Sequence, residues 1–197
     1  MKWIKRLILR LRLKRKPVRL NLGAGRTIVP GWQSTDIDTL NLLERQDWLA
    51  ITRPATVDAM LSEHVWEHLT ESQGLQAASL CLEFLRPGGR LRVAVPDGLN
   101  PDPGYIEHVR PGGTGPGADD HKVLYTHVTF ASLFASSGFQ VTLLEYWDER
   151  RCFHAEDWDP SDGLVHRSRR FDPRNQGGGL GYTSLILDAK RPISDSR

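Results

Sequence analysis

Two neighbouring stretches decide the fold: Leu20-Asn21-Leu22-Gly23-Ala24-Gly25 (LNLGAG) and, a few residues on, GWQSTDID at 31–38. Val18–Leu22 is an apolar run ending in a tight glycine turn, where a backbone free of Cβ atoms can bend sharply and approach a ligand. At the carboxyl end of the first strand of an open sheet, such a turn is where a nucleotide-like cofactor sits. Trp32–Ile37 predicts a second strand. Asp36 at its end can accept hydrogen bonds from both ribose hydroxyls; a plain strand-end turn with an Asx bond is the competing reading of Asp36 and Asp38. Only ten residues separate Leu22 from Gln33, and Pro30-Gly31 lies among them. A parallel crossover ordinarily takes a dozen or more, so the first crossover helix is expected to be reduced or missing. The third glycine of the dinucleotide pattern G-x-G-x-x-G is absent, which argues for a smaller adenosine cofactor.

Working outward, Val57–Leu61 is a third apolar run. Ser72–Leu85 has helical spacing at Leu75, Ala78, Leu82 and Leu85 and stops at Pro87-Gly88-Gly89. Arg90–Val95 reads as a strand closed by Pro96-Asp97. Thr126 is placed to cap a helix running to Ser136, with Gly138 at its end. Gln140–Tyr146 and Tyr182–Ala189 are the last expected strands. Strands alternating with helices predict an α/β domain with a mostly parallel sheet. Two stretches lack periodicity: 98–120, with four prolines and six glycines, and 148–181. Loops that long in a compact domain are functional or disordered, and a substrate lid is the reading taken here.

The net charge of +2 on 197 residues conceals a division. Residues 1–19 hold nine of the 26 basic groups and none of the 24 acidic ones, so the body carries −7. Wrapping a nucleic acid calls for a basic face, so the acidic body argues against such a partner. Residues 1–16 form a basic amphipathic leader. Trp3, Ile4, Leu7, Ile8 and Leu11 lie on one arc of a helical wheel, with Lys5, Arg6, Arg10 and Arg12 opposite; Leu9 and Leu13 break the polar side. The apolar run Leu7–Leu9 is too short for a signal peptide, and no stretch is long enough to span a bilayer. Three readings stand: contact with an anionic membrane surface, a nucleic-acid arm, or a first helix packed on its own domain. The domain proper is expected over 17–191, with a tail at 192–197. Two cysteines, Cys81 and Cys152, make no disulfide framework, and a reducing, cytoplasmic setting follows.

Three segments together resemble the class I S-adenosylmethionine-dependent methyltransferases, and within them a small bacterial subgroup with a shortened first crossover. They are LNLGAG with GWQSTDID, then VDAMLSEHVWEHL at 57–69, then LEFLRPGGRLRVAVPD at 82–97. The resemblance implies a Rossmann-like sheet of seven strands, mostly parallel with the last antiparallel, and S-adenosylmethionine as cofactor. Carried over, Gly23, Ala24 and Gly25 would face the methionine portion, and Asp36 with Ile37 the ribose. Asp47 and Trp48 would sit at the adenine, and Ser62, Glu63 and His64 would border the methionine and sulfonium. The subgroup's association with surface polysaccharide implies a glycan or small polar acceptor. With the basic leader, it also implies a place on the cytoplasmic membrane face.

Methyl transfer to a hydroxyl needs a base. His121, in Asp119-Asp120-His121-Lys122, is the first candidate because imidazole titrates near neutrality and an adjacent carboxylate can tune it. Asp120 and Asp97 follow. His154, Asp157, Arg167, Arg174 and Asn175 are candidate acceptor contacts, and Trp147, Phe153 and Trp158 candidate stacking surfaces. No resident metal is expected. A rival reading takes His64-Val65-Trp66-Glu67-His68 as H-x-x-E-H of a zinc hydrolase, with both imidazoles on one helix face and Glu67 as base. A third is a non-catalytic adenosyl-binding module.

Overall fold

The computed structural model describes residues 2–14 and 16–193; Met1, Arg15 and tail residues 194–197 lie outside the described residues. The leader is a helix, α1 (Lys2–Arg12). It is followed by β1 (Arg19–Leu22), β2 (Gln33–Ser34), α2 (Arg45–Ile51) and β3 (Val57–Glu63). A single 3-10 turn, Trp66–His68, leads to α3 (Glu71–Phe84) and β4 (Leu85–Pro96). Next come α4 (Pro103–Val109), α5 (His127–Ser136), β5 (Gln140–Trp147), β6 (Phe153–Ala155) and β7 (Ser184–Lys190). The seven strands form one sheet in the order β2-β1-β3-β4-β7-β5-β6. β1 pairs parallel with β2 and β3, and β3 with β4, while β7 runs antiparallel between β4 and β5. β6 is an unforeseen antiparallel edge strand on β5.

The expected mostly parallel α/β sheet is therefore present. No helix among the described residues lies between β1 and β2, as the short crossover predicted. Beside β6 and α2, which the sequence reading does not contain, three elements differ from it. β2 is only two residues long: Thr35 still bonds to the β1 side, its N donating to Asn21 O and its O accepting from Ala24 N, and the chain then turns at Asp36, whose O accepts from Thr39 N. β4 starts early, with Arg86–Gly89 as a bulge between the Val57–Leu85 and Ala59–Arg90 pairs. α4 breaks the Gly/Pro-rich loop. Its signal stands in the sequence: Asp102 caps Gly104 N at 2.8 Å and Pro103 opens the helix.

The two faces of the sheet are covered differently. Leu20, Met60, Leu91, Val93, Leu185 and Leu187 face a core closed by α2, α3 and α5 through Trp48, Phe84, Phe130 and Phe134. On the other face Leu61, Ala94 and Ile186 meet Val29, Trp32, Trp158 and Val165, all from loops. Coil thus replaces the missing crossover helix. It is held by Arg92, a buried guanidinium on β4. Arg92 pairs bidentately with Asp188 on β7 (2.8 and 2.9 Å) and donates from Nη1 to the carbonyls of Asp159 and Gly163 (3.0 and 2.9 Å). Its guanidinium lies 4.7 Å from the Trp158 ring centroid.

α1 docks by the side that looked like its flaw. Leu9 and Leu13, which break the polar arc, are buried in the main core. Arg6 and Lys2 on the same side pair with Asp47, and Lys5 with Asp38. Trp3, Ile4, Leu7, Ile8 and Leu11 face outward, Trp3 at 68% exposure.

Replacing Arg92 with methionine takes from Asp188 its bidentate partner, leaving it only Arg90 at 3.7 Å, and from two loop carbonyls their donor. We expect a loss of about 3–5 kcal/mol in urea unfolding and new protease cleavage within 156–167. Unchanged stability and an intact cleavage pattern would show that Arg92 does not hold the loop.

Candidate active site

The order of the strands reverses direction between β1 and β3, and the glycine turn sits at the carboxyl ends of these two strands. Gly23 has φ +60, and a Cβ there would lie 2.5 Å from Val65 Cγ2, so only glycine fits against the turn after β3. Gly25, at φ +54, has open space where a Cβ would stand. Asp36 reaches this turn: its carboxylate accepts from Gly25 N at 3.0 Å and from Ile37 N at 2.7 Å. Ile37 is 71% exposed beside it. The turn thus presents an open backbone, an acid at its rim and an exposed apolar side chain. A cavity of about 140 Å³ continues inward, lined by Asn21, Gly23, Ala24, Thr27 and Glu63 on one side and by Leu164, His166 and Arg167 on the other.

This cavity is smaller than the roughly 300–1,000 Å³ of a drug-sized site, because the loop is latched across it. The Glu63 carboxylate, expected at the methionine, accepts from His166 N (3.1 Å), His166 Nδ1 (3.3 Å) and Arg167 N (2.8 Å). Ser62 is buried, with its hydroxyl directed to Leu22 O at 3.4 Å across β1 and β3. His64 has φ +56. Its Nε2 lies 3.0 Å from Ser184 Oγ and its Nδ1 3.0 Å from Glu67 Oε1.

Several expected residues have other partners. Trp48 is fully buried, stacked on Phe84 at 5.1 Å, with its indole donating to Leu42 O. Asp47 accepts from Asn41 N and is held by Lys2 and Arg6 of α1. Both belong to the packing of α1 and α2 and not to the rim of the glycine turn. Asp97 is fully buried, its oxygens accepting from Leu99 N (3.0 Å) and Trp147 N (2.7 Å), so it braces the exit of β4. Among the acceptor candidates, Trp158 is buried under Arg92, and Asn175 is buried and ties Ser168 O, Arg169 O and Tyr182 into a loop. Arg174 pairs with Asp172 and lies over Tyr182. His154 pairs with Asp148 and stacks on Tyr146. Asp157 and Arg167 are exposed, and Trp147 and Phe153 half-buried with their rings 5.2 Å apart.

The pentad His64–His68 is not helical. β3 ends at Glu63 and the 3-10 turn begins only at Trp66. His64 and His68 therefore do not share a helix face, and the zinc-hydrolase arrangement loses its premise. The turn instead brings Glu67 and His68 against 118–123, where Lys122 N donates to Glu67 O at 2.6 Å. His121 is here, its ring edge-on to His68 at 4.8 Å. Its Nδ1 donates to Val109 O at 2.6 Å, while Asp120 turns to His68 Nδ1 (3.3 Å) and Lys122 (2.8 Å). The neighbouring acid thus holds His68, and a carbonyl orients His121. Sequence reasoning missed Glu67 and His68 as parts of this cluster, because the partners are about fifty residues apart.

No protein-family model and no curated protein matches the sequence. Solved structures do match the fold. One is a S-adenosylmethionine-dependent methyltransferase from Archaeoglobus fulgidus, 14% identical, covering 94% of each chain at a TM-score of 0.53. The chain has the class I methyltransferase fold. A second match, the 1,6-didemethyltoxoflavin-N1-methyltransferase of Burkholderia thailandensis with bound S-adenosylhomocysteine, is 14% identical at a TM-score of 0.50 and covers 95% of this chain and 76% of its own. A third, the S-adenosylmethionine-dependent methyltransferase SibL, is 14% identical at 0.51, over 96% of this chain and 55% of its own.

Burial raises the Asp97 carboxyl to about 6, against the lowering effect of its two backbone donors and of His127. Its native proton is held more tightly than in the unfolded chain, so Asp97 stabilises the fold below about pH 4. That contribution is lost as pH rises through about 6. Asp97→Asn removes this titration. The stability of the wild type relative to the variant should fall between pH 4 and 6.5 in urea titrations; a constant difference would show that Asp97 does not titrate there.

Proposed function

We propose that the chain is a S-adenosylmethionine-dependent O-methyltransferase acting on a polar, hydroxylated acceptor such as a sugar or glycan. The observation that carries the reading is the convergence of the glycine turn, Asp36 and the inward cavity at the reversal between β1 and β3. Asp36 and Ile37 would hold the nucleoside, and Gly23–Gly25 with Glu63 the amino-acid end, once the 164–167 segment lifts from Glu63. The cofactor supplies an activated methyl group that passes to the acceptor oxygen in line, leaving a neutral thioether.

The chain then has to position the hydroxyl and receive its proton. Val65 packs on Gly23 and lies in the same turn as Glu67 and His68, so the histidine cluster is continuous with the cofactor end of the site. In the neutral ring, an Nδ1–H committed to Val109 O makes Nε2 the nitrogen of His121 that can accept a proton. His166 and Arg167 at the loop rim offer exposed donors to an acceptor's hydroxyls. Calorimetry with S-adenosylhomocysteine tests the reading. We expect binding by the wild type and at least a tenfold loss in Asp36→Ala; absence of wild-type binding at millimolar ligand would overturn it. His121→Ala should bind the cofactor normally and lose turnover, whereas full turnover would remove His121 from the site.

The reading places the enzyme on an anionic cytoplasmic membrane face through α1. The specific support is the inverted seating of that helix, with its leucine and cation stripe docked inward and Trp3, Ile4, Leu7, Ile8 and Leu11 outward. Exposed Arg10, Arg12 and Lys14 lie beside them. Because Leu9 and Leu13 are core residues, deletion of the leader is a poor test. Leu7→Glu with Ile8→Glu leaves the docking stripe intact. This variant should fail to pellet with phosphatidylserine vesicles that sediment the wild type; equal pelleting would exclude the contact.

A further inference from the structure

Glu67 has no counterpart in the sequence expectations for cofactor or acceptor, yet it is the most unusual carboxylate in the fold. It is 1% exposed, and neither of its oxygens accepts a hydrogen bond of acceptable geometry; His64 Nδ1 approaches Oε1 at 3.0 Å without the alignment of one. A buried carboxylate left like this is costly, and such groups in native proteins are paired or coordinate metals. Ligand atoms of Glu67, His68 and His121 all lie within 4.8 Å of one another.

The orientation of the two imidazoles points the same way. A carbonyl can only accept, so His121 Nδ1 carries the proton shared with Val109 O (2.6 Å), and in the neutral ring the lone pair is then on Nε2. Asp120 Oδ2 likewise takes the Nδ1–H of His68 (3.3 Å). Metal-bound histidines characteristically donate the other ring N–H to a carbonyl or carboxylate in this way, which fixes the tautomer and raises ligand basicity. Gly117, at φ +83, starts the 3-10 turn Ala118–Asp120 that returns the chain to present His121, and its Cβ position would lie 3.7 Å from His68 Cε1.

We infer that Glu67, His68 and His121 form a binding site for a divalent first-row metal ion, with Val109 O and Asp120 as the groups that orient its two histidines. Two imidazoles and one carboxylate suit zinc, with a position left for water or a hydroxyl. In a tetrahedral site ligand atoms stand about 3.4 Å apart, so loading draws the three side chains together. The ion would tie the 118–123 segment to the turn after β3. If the methyltransferase reading holds, it would also lower the pKa of an acceptor hydroxyl, His121 then acting as ligand instead of as base.

The test uses the full chain, stripped with chelator and titrated with zinc by calorimetry, with metal analysis after gel filtration. We expect one zinc per chain at micromolar affinity or tighter and a higher Tm on loading. His121→Ala and His68→Ala should each weaken binding a hundredfold or more. Both residues are only half-buried, so circular dichroism can confirm that these variants fold, whereas fully buried Glu67 is changed only conservatively, to Gln. His154→Ala, at the separate Asp148 pair, should bind as the wild type does. No zinc retained by the wild type, or undiminished binding in His121→Ala, would overturn the site. Zinc binding is read without cofactor and S-adenosylhomocysteine binding without zinc, so failure of either inference is distinguishable from failure of the other.

Discussion

A sheet buried on both faces needs cover on both, and among the described residues one face is covered by loops and not by an α-helix. The constraint is electrostatic as much as apolar. A long loop can lie on a sheet only if its backbone N–H and C=O groups find partners, since leaving them bare in a dry contact costs more than the apolar burial returns. Three strands of the sheet, β3, β4 and, beyond β7, β5, each project a charged side chain into the loop. Glu63 on β3 takes two backbone N–H groups at 166 and 167, and Arg92 on β4 takes the carbonyls of Asp159 and Gly163. Glu145 on β5 takes Arg169 N and the Trp158 indole. Between these anchors only a few apolar groups, Trp158 and Val165 chief among them, need to be buried.

This construction shapes the site. Glu63 belongs both to the covering loop and to the lining of the cavity beside Gly23, so the cavity's size is set by whether those two loop amides are engaged. The anchors differ in strength. Arg92 is buried with four hydrogen bonds and a matched carboxylate, while the groups on Glu63 come from exposed residues, His166 and Arg167. A segment that opens locally is drawn from the least protected part of a structure. The Glu63 end is therefore the weaker of the two anchors, with Gly163, at φ +130, between it and the part that Arg92 holds.

The fold was legible because its signals are local. Apolar runs, the glycine turn and the short crossover can each be read within a dozen residues. α4 and the Asp102 cap were equally local and were passed over because glycine and proline dominate their surroundings. The site was legible in halves. Gly25 and Asp36 lie in separate local motifs and are hydrogen-bonded to each other in the structure, whereas Asp47, Trp48 and Asp97 have partners that position along the chain does not reveal. Burial was the hidden variable. Asp97 and Glu67 look like any other acids in sequence, but both are removed from water, and only the first is given donors in return.

The leader shows the same limit from the other side. An amphipathic pattern specifies that two faces differ but not which one is turned inward. Here the cations decide. Arg6 donates to Thr39 O and pairs with Asp47, and Lys5 pairs with Asp38, so the acidic loop 36–47 draws in the basic side, and Leu9 and Leu13 close the contact. The apolar arc is then left outside as the remainder. Asp38 and Thr39 stand only two and three residues beyond Asp36, so whatever seats α1 also seats the acid at the rim of the glycine turn. Were α1 to turn its apolar arc inward, Lys5 and Arg6 would leave Asp38, Thr39 and Asp47, and the loop carrying Asp36 would lose its tether. The exposed apolar arc thus follows from the contacts that tether the loop carrying Asp36, and a surface that covers it can do so without competing for those contacts.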